Sequence, residues 1–293
     1  TPCGTLFPYT TLFRSVLIPN PGYPAYRAVA NLTGATVRDY KLKAENNWLP
    51  DLEALAKTDL SKVKIMWVNY PHMPTGTAVA ADFFAELVAF AKAHDILLVN
   101  DNPYSFILND QPTSLLSVPG AKDVALELNS LSKSHNMAGW RVGLLAGKAD
   151  YLQDILRFKS NMDSGMFKPL QLAATRALQN PPEWYQELNK IYRQRRKKVE
   201  SMMDLLECAY DTNQVGMFVW AKIPDHYKSA YELSDEVLYN AHVFITPGGI
   251  FGSEGDQYIR ISLCNSIDTF EVANRRIQDV RKNTFAQQNS LEK

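Results

Sequence analysis

The chain is short of the features that mark several large protein classes. Lysine plus arginine (31) balances aspartate plus glutamate (31), so the formal net charge is +0 over 293 residues. No general field therefore draws it to nucleic acid or to a membrane surface. Cysteine is scarce: Cys3, Cys208 and Cys264 are odd in number and far apart. That argues against a disulfide framework and suits a reducing, cytoplasmic setting. The cysteines lack zinc-ligand spacing and none of the five histidines forms a His-x-x-x-His pair, so no metal site is expected. No window of about 18 apolar residues occurs, which predicts no membrane span. The start lacks the basic-then-apolar order of a signal peptide. Internal repeats and low-complexity tracts are also absent.

What is present is length enough for a sizeable core and two lobes. Residues 1–15 follow neither a helical nor a strand period, and we expect a foreign or disordered leader there, with a divergent N-terminal arm as the alternative. From Val16 onward strands and helices alternate. Apolar runs at Val16–Ile18, Ala35–Tyr40, Val63–Asn69, Ile96–Asp101, Val124–Asn129 and Gly143–Gly147 predict strands. Between them lie helical patterns such as Ala80–His94, with Phe83, Phe84, Leu87, Val88 and Ala91 on one face. This alternation predicts an α/β fold of three layers, a mostly parallel sheet covered by helices on both sides. After Tyr151 long helices are expected at Tyr151–Asn161, Pro169–Gln179 and Pro182–Ala209. Strands near Gly216–Ile223, Val243–Thr246 and Tyr258–Cys264 and a helix over Thr269–Arg281 follow. We therefore expect a large domain over residues 16–183 and a smaller α+β domain over 184–293, joined by the helix from Pro182. The basic run Arg193–Lys198 falls within that helix, whose apolar positions are Leu188, Ile191, Val199, Met202 and Leu206. A solvated outer face explains the run better than nucleic-acid binding.

One lysine carries the chemistry. Lys133 ends the apolar run from Val124, in Asn129-Ser-Leu-Ser-Lys-Ser-His-Asn-Met-Ala-Gly-Trp-Arg-Val-Gly143. An isolated lysine at a strand's mouth is usually a solvated turn residue. A desolvated amine there could instead form a Schiff base with an aldehyde. Its company favours the second reading: Ser130 and Ser132 flank it, Arg141 follows, and an upstream strand ends in Asp101-Asn-Pro-Tyr104. Pyridoxal 5'-phosphate (PLP) needs an amine for its aldehyde, cations and hydroxyls for its phosphate, and a carboxylate to keep its ring nitrogen protonated. Lys133, Arg141 with Ser130, and Asp101 fill those roles, and Tyr104 could bond the ring hydroxyl. Ser132 is a further phosphate candidate. Ligands of such sheets bind beyond the carboxyl ends of the strands, where Asp101 and Lys133 stand.

Five motifs in order then resemble the class I and II aminotransferases, PLP enzymes of fold type I. They are Asn20-Pro-Gly-Tyr-Pro-Ala-Tyr26, Asn69-Tyr-Pro-His-Met-Pro-Thr-Gly76, Asp101-Asn-Pro-Tyr104, Ser130-Leu-Ser-Lys133 with Arg141, and Tyr258-Ile-Arg-Ile-Ser262. The resemblance implies that Tyr23 stacks on the cofactor ring and that Arg260 clamps the substrate α-carboxylate. It implies transfer of an amino group from an α-amino acid to a 2-oxo acid, through a lysine Schiff base and a pyridoxamine form. A homodimer is implied too, with Asn161, Asp163 and Ser164 facing a partner's site. The same frame supports a β-elimination lyase or a non-catalytic PLP-binding regulatory module.

Two departures stand out. Met73 takes the place of an asparagine whose amide bonds the ring hydroxyl, and methionine cannot donate a hydrogen bond. Tyr104 would then carry that contact alone. Relatives also carry, ahead of the matched region, a phosphate loop at a helix N-terminus, an edge strand beside the one at Gly143–Gly147, and an arm that crosses to the partner. None is found here. The expectation is an incomplete large domain, an unprotected edge at Gly143–Gly147, and weak PLP binding or inactivity of this chain.

Overall fold

A computed structural model describes residues 15–291 of the chain, with side chains described to residue 282. The expected leader lies outside the described residues except for Ser15, which opens the first strand; Cys3 lies outside as well.

The main sheet contains β1 (Ser15–Asn20), β2 (Thr36–Lys41), β3 (Val63–Val68), β4 (Leu97–Asp101), β5 (Ala125–Ser130) and β6 (Gly143–Gly147), in spatial order β2-β1-β3-β4-β5-β6. All neighbours pair parallel except β5 with β6. Every residue of β1 is buried, as expected for a strand covered on both faces. The fold is the expected α/β architecture, and the six strands fall within a few residues of the predicted runs. Leu17, Met66, Leu87 and Leu98 sit at most 1% exposed in the core. Burying a side chain of this kind contributes about 1.5–3 kcal/mol.

Helices α1 (Pro24–Leu32), α2 (Leu52–Ala56) and α3 (Ala81–His94) cover this sheet. Helix α3 buries Phe84, Leu87, Val88 and Ala91 as expected, with Phe90 joining them. It stops where Asp95 turns left-handed (φ 53°). The one-turn α4 (Leu131–Ser134) follows β5 directly, so Lys133 rides on a turn that the strand end aims. Strand β6 is an edge of the sheet among the described residues, with Leu144 exposed.

Helices α5 (Ala149–Met162), α6 (Lys168–Ala177) and α7 (Pro182–Leu205) lead to a second, antiparallel sheet. Its strands are β7 (Ala209–Tyr210), β8 (Phe218–Lys222), β9 (Thr246–Pro247) and β10 (Tyr258–Ser262), in order β7-β8-β10-β9. Helices α8 (Ala230–Ala241) and α9 (Ile267–Leu291) complete it. Strand β10 alternates, with Ile259 and Ile261 in the core and Arg260 on the opposite face.

Several local expectations are corrected. Helix α7 ends at Leu205, short of Ala209, which pairs in β7 instead. The strand expected at Val243–Thr246 shrinks to Thr246–Pro247, because His242 caps α8 left-handed (φ 53°) and turns the chain away. On α7, Ile191 is exposed and Tyr192 takes the core position. The basic run does lie on an outer face, with Arg193, Gln194 and Lys197 exposed, and parts of it also pair with neighbouring protein groups. Arg193 pairs with Asp110, Arg196 with Glu200 and Lys198 with Glu271, and Arg195 donates to the Leu263 carbonyl. Among the described residues no helix is long and apolar enough to cross a membrane.

Candidate active site

The carboxyl ends of β1, β3, β4 and β5 deliver Asn20, Asn69, Asp101 and Ser130 to one side of the main sheet. Parallel pairing makes this a shared rim, and peptide groups left unpaired at such a rim are available to ligands. Strand β10 of the second sheet presents Arg260 to the same space. A cavity of ≈ 510 Å³ results. Tyr23, Asp101, Tyr104, Ser130, Ser132, Lys133, Arg141 and Arg260 all line it, so the structure brings together every residue singled out in the sequence for this site. Volume alone would not select it, since a cavity of ≈ 620 Å³ beside α9 is larger and shares Arg260 with it.

Asp101 is half-buried, and burial raises its pKa above the ordinary carboxylate value, opposed by a hydrogen bond from Tyr26. That hydroxyl donates to Asp101 Oδ2 at 2.8 Å. The Tyr26 ring stacks on Trp67 at 4.8 Å, which fixes the donor. Asn69 Nδ2 donates to the Asp101 carbonyl, and Asn69 Oδ1 accepts from the Met73 amide at 2.8 Å. The residues on either side of Asp101 are held by one buried carboxylate. Asn100 Nδ2 and Asn102 Nδ2 each donate to Glu127 at 3.2 Å, and the Leu115 amide adds a third bond at 2.8 Å. Asp101 therefore stands on a strand end braced from both flanks.

Lys133 is half-buried, and Arg141 is exposed with a left-handed backbone (φ 56°). Arg141 Nη1 donates to the Ala138 carbonyl at 2.9 Å, leaving most of its fork available. Ser130 Oγ caps α4 by accepting from the Ser132 amide at 3.1 Å. A hydroxyl used as acceptor keeps its own hydrogen to donate. Tyr23 is half-exposed and meets Tyr26 edge-on, with ring centroids 5.7 Å apart. Tyr104 is buried, and burial, with the Asp101 charge second, pushes its pKa well above the ordinary phenol value.

Arg260 is held differently. Its guanidinium lies 4.2 Å from the Phe218 ring centroid and 4.4 Å from that of Phe251. Nη1 lies 3.2 Å from Met73 Sδ, and Nε is buried without a partner. Burial lowers its pKa from the ordinary arginine value. Among the described residues, Lys133, Arg141 and Arg260 enter no ion pair although thirteen are formed elsewhere. Three cations and a desolvated carboxylate thus share one cavity without neutralising each other, an arrangement suited to a ligand with two anionic ends and a cationic centre.

Sequence reading missed Tyr26 as the Asp101 partner, Glu127, and the rings Phe218 and Phe251. The spacing Tyr23–Tyr26, three residues across the first turn of α1, was the one local signal for Tyr26. Asn161, Asp163 and Ser164 do not line the cavity; they lie exposed at the end of α5, where Asp163 pairs with Lys159.

A family model described as aminotransferase class I and II matches residues 9–277. The LL-diaminopimelate aminotransferase of Natranaerobius thermophilus is 40% identical over 262 residues, covering 89% of this chain and 68% of that protein. That of Dehalococcoides mccartyi strain BAV1 is 41% identical over 249 residues, covering 84% and 64% respectively. Among solved structures, apo-BacF of Bacillus subtilis superposes with a TM-score of 0.87 at 37% identity, covering 92% of this chain and 69% of that one. An aminotransferase from Staphylococcus aureus gives 0.84 at 29% identity, covering 92% and 71%. The chain spans about two thirds of the length of these relatives. It belongs to the class I and II aminotransferases, fold-type I enzymes that transfer amino groups with PLP.

Proposed function

We propose that the protein transfers an amino group from an α-amino acid to a 2-oxo acid, with PLP held by residues of the cavity described above. The observation that carries this reading is the convergence of three unpaired cations and the braced Asp101 on one space. The residues fit the cofactor. A carboxylate whose burial disfavours its charge gains from a cationic ring nitrogen opposite it. Lys133 supplies the amine for the aldehyde. Arg141, Ser130 and Ser132 supply a planar cation and two hydroxyls for the phosphate. Tyr104, which lines the cavity, would donate to the ring hydroxyl, and Tyr23 would cover a ring face. When bound, the cofactor supplies an electron sink for charge developing at the substrate α-carbon.

The protein's own groups do the rest. Arg260 offers a fork that matches a carboxylate, and its ring-lined setting raises the gain from pairing because little water competes. Held by that clamp, the substrate would present its α-carbon to the Lys133 amine, the group that would take up and return its proton. By donating to Asp101, Tyr26 favours its charged form against the burial that disfavours it.

The names of the relatives make LL-diaminopimelate the first amino donor to test. A homodimer is proposed as the working form, supported by the exposed apolar side chains Phe158 and Met162 on α5, Phe167 just before α6 and Leu172 on α6. The test is product analysis with a panel of amino donors and 2-oxo acids. Formation of the 2-oxo acid of the donor together with the amino acid of the acceptor supports transfer. Release of pyruvate and a free leaving group, without a new amino acid, would replace it with β-elimination.

A further inference from the structure

Helix α7 does more than connect the two sheets. Its later turns belong to the core of the second sheet, where Val199, Met202 and Met203 pack with Val219 and Ile259. Its first two turns reach back to the main sheet and touch both loops that carry the site. Trp184 Nε1 donates to the Ser134 carbonyl at 3.2 Å, one residue past Lys133. The Tyr185 hydroxyl lies 3.1 Å from His135 Nε2, and His135 Nδ1 lies 2.8 Å from Ser134 Oγ. In either tautomer one imidazole nitrogen donates and the other accepts, and the two hydroxyls can each take the complementary role. Ser134 is 1% exposed and His135 6%, so the bond between them is shielded from water, while Trp184 and Tyr185 reach it from a partly exposed face of the helix.

The same face of the helix holds the Tyr104 loop. Asn189 Oδ1 accepts from the Leu108 amide at 2.8 Å, and Asn189 Nδ2 donates to the Phe106 carbonyl at 3.0 Å. The Tyr185 ring also packs on Phe106 at 5.0 Å and meets His135 edge-on at 5.7 Å. Tyr185 therefore stands between the lysine turn and the tyrosine loop, touching both.

We infer that three residues of α7 are positioning residues that set Lys133 against Tyr104 for the cofactor: Trp184 through the Ser134 carbonyl, Tyr185 through His135, and Asn189 through the backbone of Phe106 and Leu108. This rests on the proposed roles of Lys133 and Tyr104. The Tyr104 loop has a second tie to the far side of the cavity, the Gly216 amide donating to the Ile107 carbonyl at 2.7 Å; what α7 adds is a link from that loop to the lysine turn, through Tyr185. A small shift of α7 would move both loops, and a site held a fraction of an ångström off loses function steeply.

The test compares the 293-residue chain with W184F/Y185F, with Y185F alone, and with L188A. Y185F removes the hydroxyl and keeps the ring, and W184F removes the indole N–H while leaving a smaller aromatic ring in its place. Leu188 is buried on the same helix stretch and contributes packing. The readouts are the PLP dissociation constant from absorption titration, the yield of borohydride-trapped cofactor at Lys133, and Tm. W184F/Y185F is expected to weaken PLP about tenfold and to lower the Lys133 yield, with Y185F showing part of the effect. L188A is expected to lower Tm the most while leaving PLP affinity within about twofold. If Y185F and W184F/Y185F bind PLP like the parent, or if L188A weakens PLP in proportion to its Tm, the inference fails. Trapping in the parent at a residue other than Lys133, or nowhere at saturating PLP, would overturn the underlying assignment as well.

Discussion

The two halves of the cavity are built on opposite principles. On the main-sheet side Asp101 is fixed by hydrogen bonds: Tyr26 on the carboxylate, Asn69 on the carbonyl, and Glu127 gathering the neighbouring asparagines. On the β10 side Arg260 is fixed by rings and a thioether, with Nε unpartnered. A directional polar frame defines where a group must stand. An apolar sleeve around a cation leaves its charge unspent until an anion arrives. The first suits a resident cofactor that must not wander, the second a substrate that enters and leaves.

That contrast can be broken by mutation. R260L removes the clamp and should raise KM for the 2-oxo acid on the order of 100-fold, as expected for a bidentate charged contact. PLP affinity should barely change; steady-state kinetics beside a cofactor titration checks both. R260K should recover only part of the loss, because an ammonium lacks the planar fork. Y26F acts on the other half. It should weaken PLP about tenfold and leave KM for the 2-oxo acid near the parent value. Loss of substrate affinity in Y26F, or of cofactor affinity in R260L, would show that the halves are not separable.

A smaller effect sharpens the account of Asp101. Its folded-state pKa is raised by burial, so without cofactor the folded chain holds this proton more tightly than the unfolded chain does. Ionisation then opposes folding as pH rises from the ordinary carboxylate value through the raised one, and the penalty is complete above that window. D101N, which still accepts from Tyr26, should raise Tm of the cofactor-free protein by a few degrees at neutral pH. The gain should vanish as the pH falls below the ordinary carboxylate range. A pH series of melting curves for the two proteins reads this directly.

The smallest effect concerns Met73. Its sulfur rests against Arg260, and its side chain cannot donate to the ring hydroxyl. M73N should lower the pH midpoint of the visible band formed with Lys133 by about half a unit, a fraction of the energy of one neutral hydrogen bond. An unchanged midpoint would mean that Tyr104 already satisfies that hydroxyl.

Much of this arrangement was legible in the sequence, for a physical reason. Parallel strands buried on both faces appear as short apolar runs, and the polar residues that end them, Asp101 and Ser130 among them, mark the ligand-binding rim. Lysine and arginine at such positions are uncommon enough to carry meaning together. The supports were not legible in that way. Glu127 looks like an ordinary charged residue in a strand, and only the fold brings Asn100, Asn102 and Leu115 to it. Phe218 and Phe251 lie far from Arg260 in the chain or on a separate turn, and nothing in their local pattern distinguishes them from core aromatics. Helix α8 was among the missed elements with a readable signal. Ser229 accepts from the Glu232 amide while Glu232 reaches back to the Lys228 amide, a capping pair visible as Ser-x-x-Glu.

The central claim, that Lys133 bonds the cofactor aldehyde while Asp101 faces its ring nitrogen, is tested most directly by borohydride reduction of the PLP-treated protein and peptide mapping, on the parent and on D101N. The account predicts one reduced-cofactor label, on Lys133, formed with much lower yield in D101N at the same PLP concentration. A label on any other lysine, or an equal yield from D101N, would contradict it.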